Sequence, residues 1–218
     1  MKGSASALSE SGGESEQMAG RTGFKIHRRL SECEETIFQL AKPYLKARDN
    51  EVHTRAATEF VLRLLETEKA DRDVVVPAII LHDVGYSAVP EELMLRAYGP
   101  RKEKVVTRIH EQEGARIAAA ILNEVGYNAS KTTEILEIID GHDTRSVALS
   151  TNDQVVKDAD KLTRYARDLR SWPPSFCLTA QEAAVRLERF VENWFFLATS
   201  KDMAKEELKQ RRIEADQA

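Results

Sequence analysis

Apolar residues recur along this chain at intervals of three and four, the spacing of helices that bury one face. His53, Ala57, Phe60, Val61 and Leu64 form one such stripe, in a helix expected from Asp49 or Asn50 to about Glu68. Val75, Ala78, Ile79 and His82 form a second, in an apolar helix expected over Asp73–Asp83 and stopped by Gly85. Val106, His110, Gly114, Ile117 and Ile121 line up in a long helix over Arg101–Val125, ended by Gly126.

The flanking segments read the same way. Ser31, with Glu34 three residues on, has the pattern of a capping box and opens a first helix that runs to about Arg48, with Pro43 kinking or dividing it. Val89–Gly99 reads as a loop with a short helix starting at Pro90. Ser130 is placed as the cap of a helix over Lys131–Asp140, and Asn152 as the cap of one in which Val156, Asp160 and Thr163/Arg164 share a side. On that side Asp160, rather than Asp158, is the inward acid. Trp172-Pro173-Pro174 breaks the chain, and two helical segments, Thr179–Thr199 and Ser200–Asp216, complete it. Nothing alternates with period two, so the expected class is all-α.

Composition narrows the setting. Residues 1–21 are rich in Ser, Gly and Glu and read as a disordered extension, leaving 22–218 as a single helical domain. At 42% apolar residues the remainder can build a core. A net charge of −4 gives no global positive field for a nucleic-acid polymer or an anionic membrane. No apolar run approaches the roughly 18 residues that span a bilayer, and the polar N-terminus lacks a secretory signal, which points to the cytoplasm. Cys33 and Cys177 form no metal-binding spacing and read as reduced packing residues.

The polar residues on these apolar faces carry the chemistry. A lone histidine on an apolar stripe is ordinarily a hydrogen-bonded core residue. Four of the five histidines, His53, His82, His110 and His142, together with Asp83 and Asp160, fall on inner faces or inner ends of five helices. An apolar core gains nothing from gathering such groups. Metal ions resolve the conflict by pairing the carboxylates and occupying the imidazole lone pairs. His27, in the polar segment before the first helix, stands outside the set.

The order His53, His82-Asp83 and then Asp160 within KDADKL resembles the HD superfamily of metal-dependent phosphohydrolases, over roughly Asn50–Ala166. The resemblance implies a helical bundle in which these four positions bind a divalent metal. His110 and His142 resemble the added ligands of dinuclear members, the YqeK-type bis(nucleoside) tetraphosphate hydrolases and the HD-GYP phosphodiesterases, and HEQEGARIAAAIL is similar to the HD-GYP sequence around its added histidine. By that likeness Asp83 bridges two ions, with His53, His82 and Asp160 completing one site and His110 and His142 the other. Two departures argue against cyclic-dinucleotide cleavage: Tyr86 stands where HD-GYP proteins commonly carry lysine, and His142-Asp143 where they carry a His-His pair. HDVGYSAV also lacks the downstream acids of guanosine-tetraphosphate hydrolases.

The implied activity is hydrolysis of a phosphoester or phosphoanhydride in a small phosphorylated substrate, a nucleotide by preference, by metal-activated water, with His82 and Asp83 at its centre. Two ions from among Fe, Mn, Co, Ni, Zn and Mg are the implied cofactor. Arg164, one turn beyond Asp160, is the best-placed cation for substrate phosphates, followed by Lys161 and Arg145, while Tyr86 either stacks on a base or packs. The Leu95–Pro100 loop is either a lid or a connector. Alternatives are a di-iron oxygenase, since inositol oxygenase and phosphonate-cleaving oxygenases share a similar ligand set, and a silent nucleotide-binding protein. The apolar cluster at Phe190, Trp194, Phe195, Phe196 and Leu197 either packs on the bundle or forms a homodimer face.

Overall fold

A computed structural model describes residues 29–47, 50–97, 102–166 and 180–216. The N-terminal extension, His27, Tyr98–Arg101 of the loop, Trp172-Pro173-Pro174 and Cys177 lie outside the described residues. Ten α-helices and no strand occur among those described.

Helix α1, Glu32–Ala41, begins with the expected capping box: the Glu34 amide donates to Ser31 Oγ (3.2 Å) and the Ser31 amide to Glu34 Oε2 (2.7 Å). It ends earlier than expected. Pro43 cannot continue the ladder, and the chain tightens into a 3₁₀ turn over Lys42–Tyr44. Helix α2, Asn50–Leu64, buries Ala57, Phe60, Val61 and Leu64 along the predicted stripe.

Helix α3, Arg72–Leu81, is the centre of the core, with every residue from Val74 to Leu81 buried. Each such aliphatic side chain contributes about 1.5–3 kcal/mol relative to exposure. Its interior Pro77 has no N–H for the Asp73 carbonyl four residues back. The Tyr127 hydroxyl donates to that carbonyl instead, at 2.7 Å. Beyond α3 the chain makes a 3₁₀ turn over Val84–Ala88, so the helix stops before His82 rather than including Asp83.

Gly85 is not the helix stop that the sequence suggests. A Cβ there would lie 1.9 Å from the His110 carbonyl oxygen and 2.4 Å from the Gly114 nitrogen. Glycine is required because the turn presses directly on the backbone of the long helix α5 (Lys104–Glu124), which follows the short α4 (Met94–Ala97). Gly126, with φ at +65°, is a true stop for α5.

Two caps differ from expectation. Asn128, not Ser130, caps α6 (Ala129–Ile139), accepting from the Ser130 and Lys131 amides at 3.0 and 3.2 Å. Ser150, not Asn152, caps α7 (Thr151–Leu162), while the Asn152 side chain accepts from the Asp71 amide and donates to Glu134. Both pairs contain good cap residues, and the winner is the one whose backbone leaves the helical region.

The C-terminal segment divides into α8 (Ala180–Glu188), α9 (Val191–Trp194) and α10 (Ala198–Asp216). The break at Phe195–Leu197 is held by Asp158, whose buried carboxylate accepts the Phe196 and Leu197 amides at 2.9–3.1 Å. Asp158 therefore also faces inward, on a different side of α7 from Asp160. Phe195 joins the core, whereas Phe196 is partly exposed beneath Lys161. Among the described residues, no helix is long and apolar enough to cross a membrane.

Candidate metal centre

Helix ends deliver the central residues. The last carbonyls of a helix lack intrahelical donors, and at the end of α3 the ring of His82 supplies one, its Nδ1 donating to the Ile79 carbonyl at 2.8 Å. At the end of α6, His142 repeats the arrangement, with Nδ1 donating to the Ile139 carbonyl at 2.9 Å. A carbonyl only accepts, so Nδ1 carries the proton in both rings and Nε2 is the nitrogen turned to the centre. Ligating histidines are commonly oriented by such a bond from the other ring nitrogen.

His53 comes from the first turn of α2, His110 from α5 and Asp160 from α7. His53 Nε2 lies 3.2 Å from His82 Nε2, 3.5 Å from Asp83 Oδ2 and 3.1 Å from Asp160 Oδ1. His82 Nε2 is 3.5 Å from the same Asp83 oxygen and 3.8 Å from Asp160 Oδ1. On the other side, Asp83 Oδ1 is 3.6 Å from His142 Nε2, which is 3.4 Å from His110 Nε2. One oxygen of Asp83 thus faces His53 and His82, and the other faces His142.

The six residues named from sequence are brought together. Within them, two groups of three have ligand atoms all within 4.8 Å of one another: His53, His82 and Asp83, then Asp83, His110 and His142. Asp160 flanks the first group through both of its histidines. This donor set fits a pair of divalent ions: imidazole nitrogens and the carboxylate oxygens of Asp83 and Asp160 converge at 3.1–3.8 Å, and the rings offer their Nε2 lone pairs to metal when neutral. The buried Nδ1 of His110 also has no hydrogen-bond partner among the described residues.

Electrostatics follows the geometry. Burial raises the Asp83 carboxyl, but His82, His142 and His53 outweigh it and hold Asp83 well below the usual carboxylate range. Burial likewise opposes ionisation of Asp160, and Arg164, His53 and His82 overcome it. His142 is pulled down by burial but pushed up to about 9 by Asp83 and Asp143, whereas burial and the neighbouring His142 take His110 down to about 4.

The remaining residues named from sequence separate. Arg164 Nη1 stands 3.8 Å from Asp160 Oδ2, with its guanidinium over the Trp194 ring and its side chain partly exposed. Lys161 turns to the C-terminal segment, donating to the Trp194 carbonyl at 2.7 Å. One residue beyond Asp160, it is rotated about 100° around the helix. Arg145 donates to the Glu137 carbonyl and to Asp153, bracing the loop behind His142. Tyr86 is only 2% exposed and stacks on the His110 ring at 4.1 Å. Of its two readings, base stacking or packing, the second describes its place.

Three polar residues near the centre escaped the sequence reading. Asp143 lies 3.7 Å from His110 Nε2 and pairs with Lys102 at 2.8 Å. Glu111, fully buried beneath the second group, accepts four hydrogen bonds from the turn after His142 and from Arg108. A signal for Glu111 existed: Thr107, Glu111, Gly114 and Ala118 follow helical spacing, and the other three are small and buried. Lys102 carried no such signal.

Residues 51–165 match the family model described as HD domain. Among solved structures, the fold is similar to that of a predicted HD superfamily hydrolase from an uncultured Thermotogales bacterium. The TM-score is 0.54 at 20% sequence identity, over 84% of this chain and 92% of that one. At that identity the likeness concerns the fold. No curated protein matches the sequence.

Proposed function

This chain belongs to the HD-domain family, and we propose that it is a metal-dependent phosphohydrolase, cleaving a phosphoester or phosphoanhydride bond in a small phosphorylated molecule, by preference a nucleotide. The observation that carries the reading is the placement of Asp83, with one oxygen toward His53 and His82 and the other toward His142. His53, His82, Asp83 and Asp160 would hold one ion, and Asp83, His110 and His142 the other. When bound, the ions supply a nucleophilic water at neutral pH and neutralise charge on phosphoryl oxygens.

The chain's own residues prepare that chemistry. His82 and His142, fixed through Nδ1, present Nε2 without searching rotamers. His53, with its side chain 25% exposed, and Asp160 mark the side open to substrate. Arg164 stands there as a cation for phosphoryl oxygens outside the ions. Lys102, paired with Asp143, offers a second positive charge near the other group. The preference for nucleotides rests on the sequence resemblance to dinuclear nucleotide hydrolases.

The test is a nucleotide panel assayed with Mn²⁺, Co²⁺, Mg²⁺ and Fe²⁺. Release of phosphate or nucleoside monophosphate is expected, and His82→Ala should abolish it. Activity unchanged by that substitution, or dioxygen consumption with an organic substrate in place of phosphate release, would overturn the reading.

A further inference from the structure

Glu111 follows His110 on α5, yet its side chain serves a different part of the chain. Its Oε1 accepts the backbone N–H groups of Asp143 and Thr144, both at 2.8 Å, and its Oε2 accepts the Thr144 hydroxyl at 2.6 Å and Arg108 Nη1 at 2.7 Å. Arg108 in turn donates to Asp140 at 2.7 Å, at the end of α6. The carboxylate is 0% exposed. A buried carboxylate costs several kcal/mol unless its lone pairs are filled, and here all the donors but Arg108 belong to the turn immediately after His142.

Gly141 has φ at +150°, a conformation open to glycine. Lys157 holds the opposite side, donating to the carbonyls of Gly141, His142 and Arg145 at 2.8–3.1 Å. The carbonyls are thus fixed by Lys157 and the amides by Glu111, with His142 between them. His110 is adjacent to Glu111 on the same helix.

We propose that Glu111 is the positioning residue of the second ion site, fixing the His142–Thr144 turn to α5 so that His142 and His110 face the same point. It touches no ion and no substrate, and acts through His142. The inference rests on the two-ion reading of the cluster and is independent of which bond is cleaved.

Binding of Mn²⁺ to chelator-stripped full-length protein tests it, followed by calorimetry and by electron paramagnetic resonance, where two adjacent ions give a spin-coupled signal. Wild type should bind two ions per chain. Glu111→Gln keeps the shape but sets its amide against the Arg108 guanidinium, and should weaken the second ion by about 10–100-fold. The first ion should keep its wild-type affinity, and the coupled signal should vanish at one equivalent excess. Thr144→Val, which removes one hydroxyl and leaves the turn amides bonded, should weaken the second ion several-fold and lower the thermal midpoint only modestly, the protein remaining folded. It decides the matter if Glu111→Gln fails to fold. Equal weakening of both ions, an unchanged second ion in Thr144→Val, or a wild type that takes one ion would each overturn the proposal. Two ions bound in wild type without hydrolysis of any nucleotide would count against the proposed reaction and leave the assignment of Glu111 standing.

Discussion

The dipeptide His-Asp occurs twice in this chain, each time just beyond an apolar helix that ends in isoleucine or leucine. His82-Asp83 follows α3, and His142-Asp143 follows α6. Both histidines donate Nδ1 to the carbonyl of an isoleucine three residues back, so the two ends aim their rings by the same device. The aspartates then part company. Asp83 is 6% exposed among His53, His82 and His142, and belongs to both groups of ligand atoms. Asp143 sits at the rim, bonded to Lys102 and 3.7 Å from a single histidine. Identical local chemistry acquires different roles from what faces it: three imidazoles in one case, and an exposed ammonium in the other.

The sharpest way to break this contrast is to remove each carboxylate. Asp83→Ala should lose both ions and all detectable hydrolysis, whereas Asp143→Ala should retain both ions and lose no more than about 1 kcal/mol of stability with its partly exposed pair. Metal analysis of the two purified variants reads the difference, and equal retention would erase the distinction between the two ends.

The neighbouring glycines separate the ends next. Gly85→Ala would place Cβ against the backbone of α5, with no flexible atom to yield. It should cost about 3 kcal/mol or more, at the upper end of overpacking. At Gly141 the nearest atom is the far end of Arg145, 2.5 Å away, and the strain is that of φ at +150°. Gly141→Ala should cost about 1–2 kcal/mol. Denaturant unfolding of the metal-free variants measures both, and the reverse ranking would contradict the close approach of the turn to α5.

Acidity distinguishes the ends more gently. In the metal-free protein, the pKa of His142 is pushed up to about 9 from its ordinary 6.5. Its stabilising contribution is therefore fully present below about pH 6.5 and lost as pH rises through about 9, on the order of 3 kcal/mol in all. Asp83, held low, contributes above the ordinary carboxylate range and loses that contribution as pH falls. Metal binding needs the neutral imidazole, so affinity should rise with pH over the window in which metal-free stability declines. Thermal midpoints with and without Mn²⁺ between pH 6 and 9 should show these opposing slopes.

Much of this was readable from residue order. The stripes that place His53, Val75, Ile79 and His110 are periodic, and periodicity survives tertiary packing because burial enforces it. Boundaries were harder wherever two candidates competed, as Asn128 did with Ser130 and Ser150 with Asn152, since the outcome depends on which backbone leaves the helical region. Gly85 has the sequence signature of a stop because sequence displays the missing side chain but not the helix that needs its absence. Lys161 and Arg145 neighbour ligands in sequence, yet a single residue of helical rotation turns Lys161 to the Trp194 carbonyl and Arg145 reaches Glu137 and Asp153, while Tyr86, open in sequence to stacking on a base or packing, lies on the His110 ring. Glu111 was hidden in a different sense. Its stripe was visible, but its partners other than Arg108 lie more than thirty residues away, in a turn whose shape no local pattern encodes.

The contact of Gly85 with α5 also bears on the centre itself. Because the turn that follows His82 and Asp83 meets the helix carrying His110 backbone to backbone, the main-chain positions of these three residues are set against one another by direct contact, with no intervening side chain to repack.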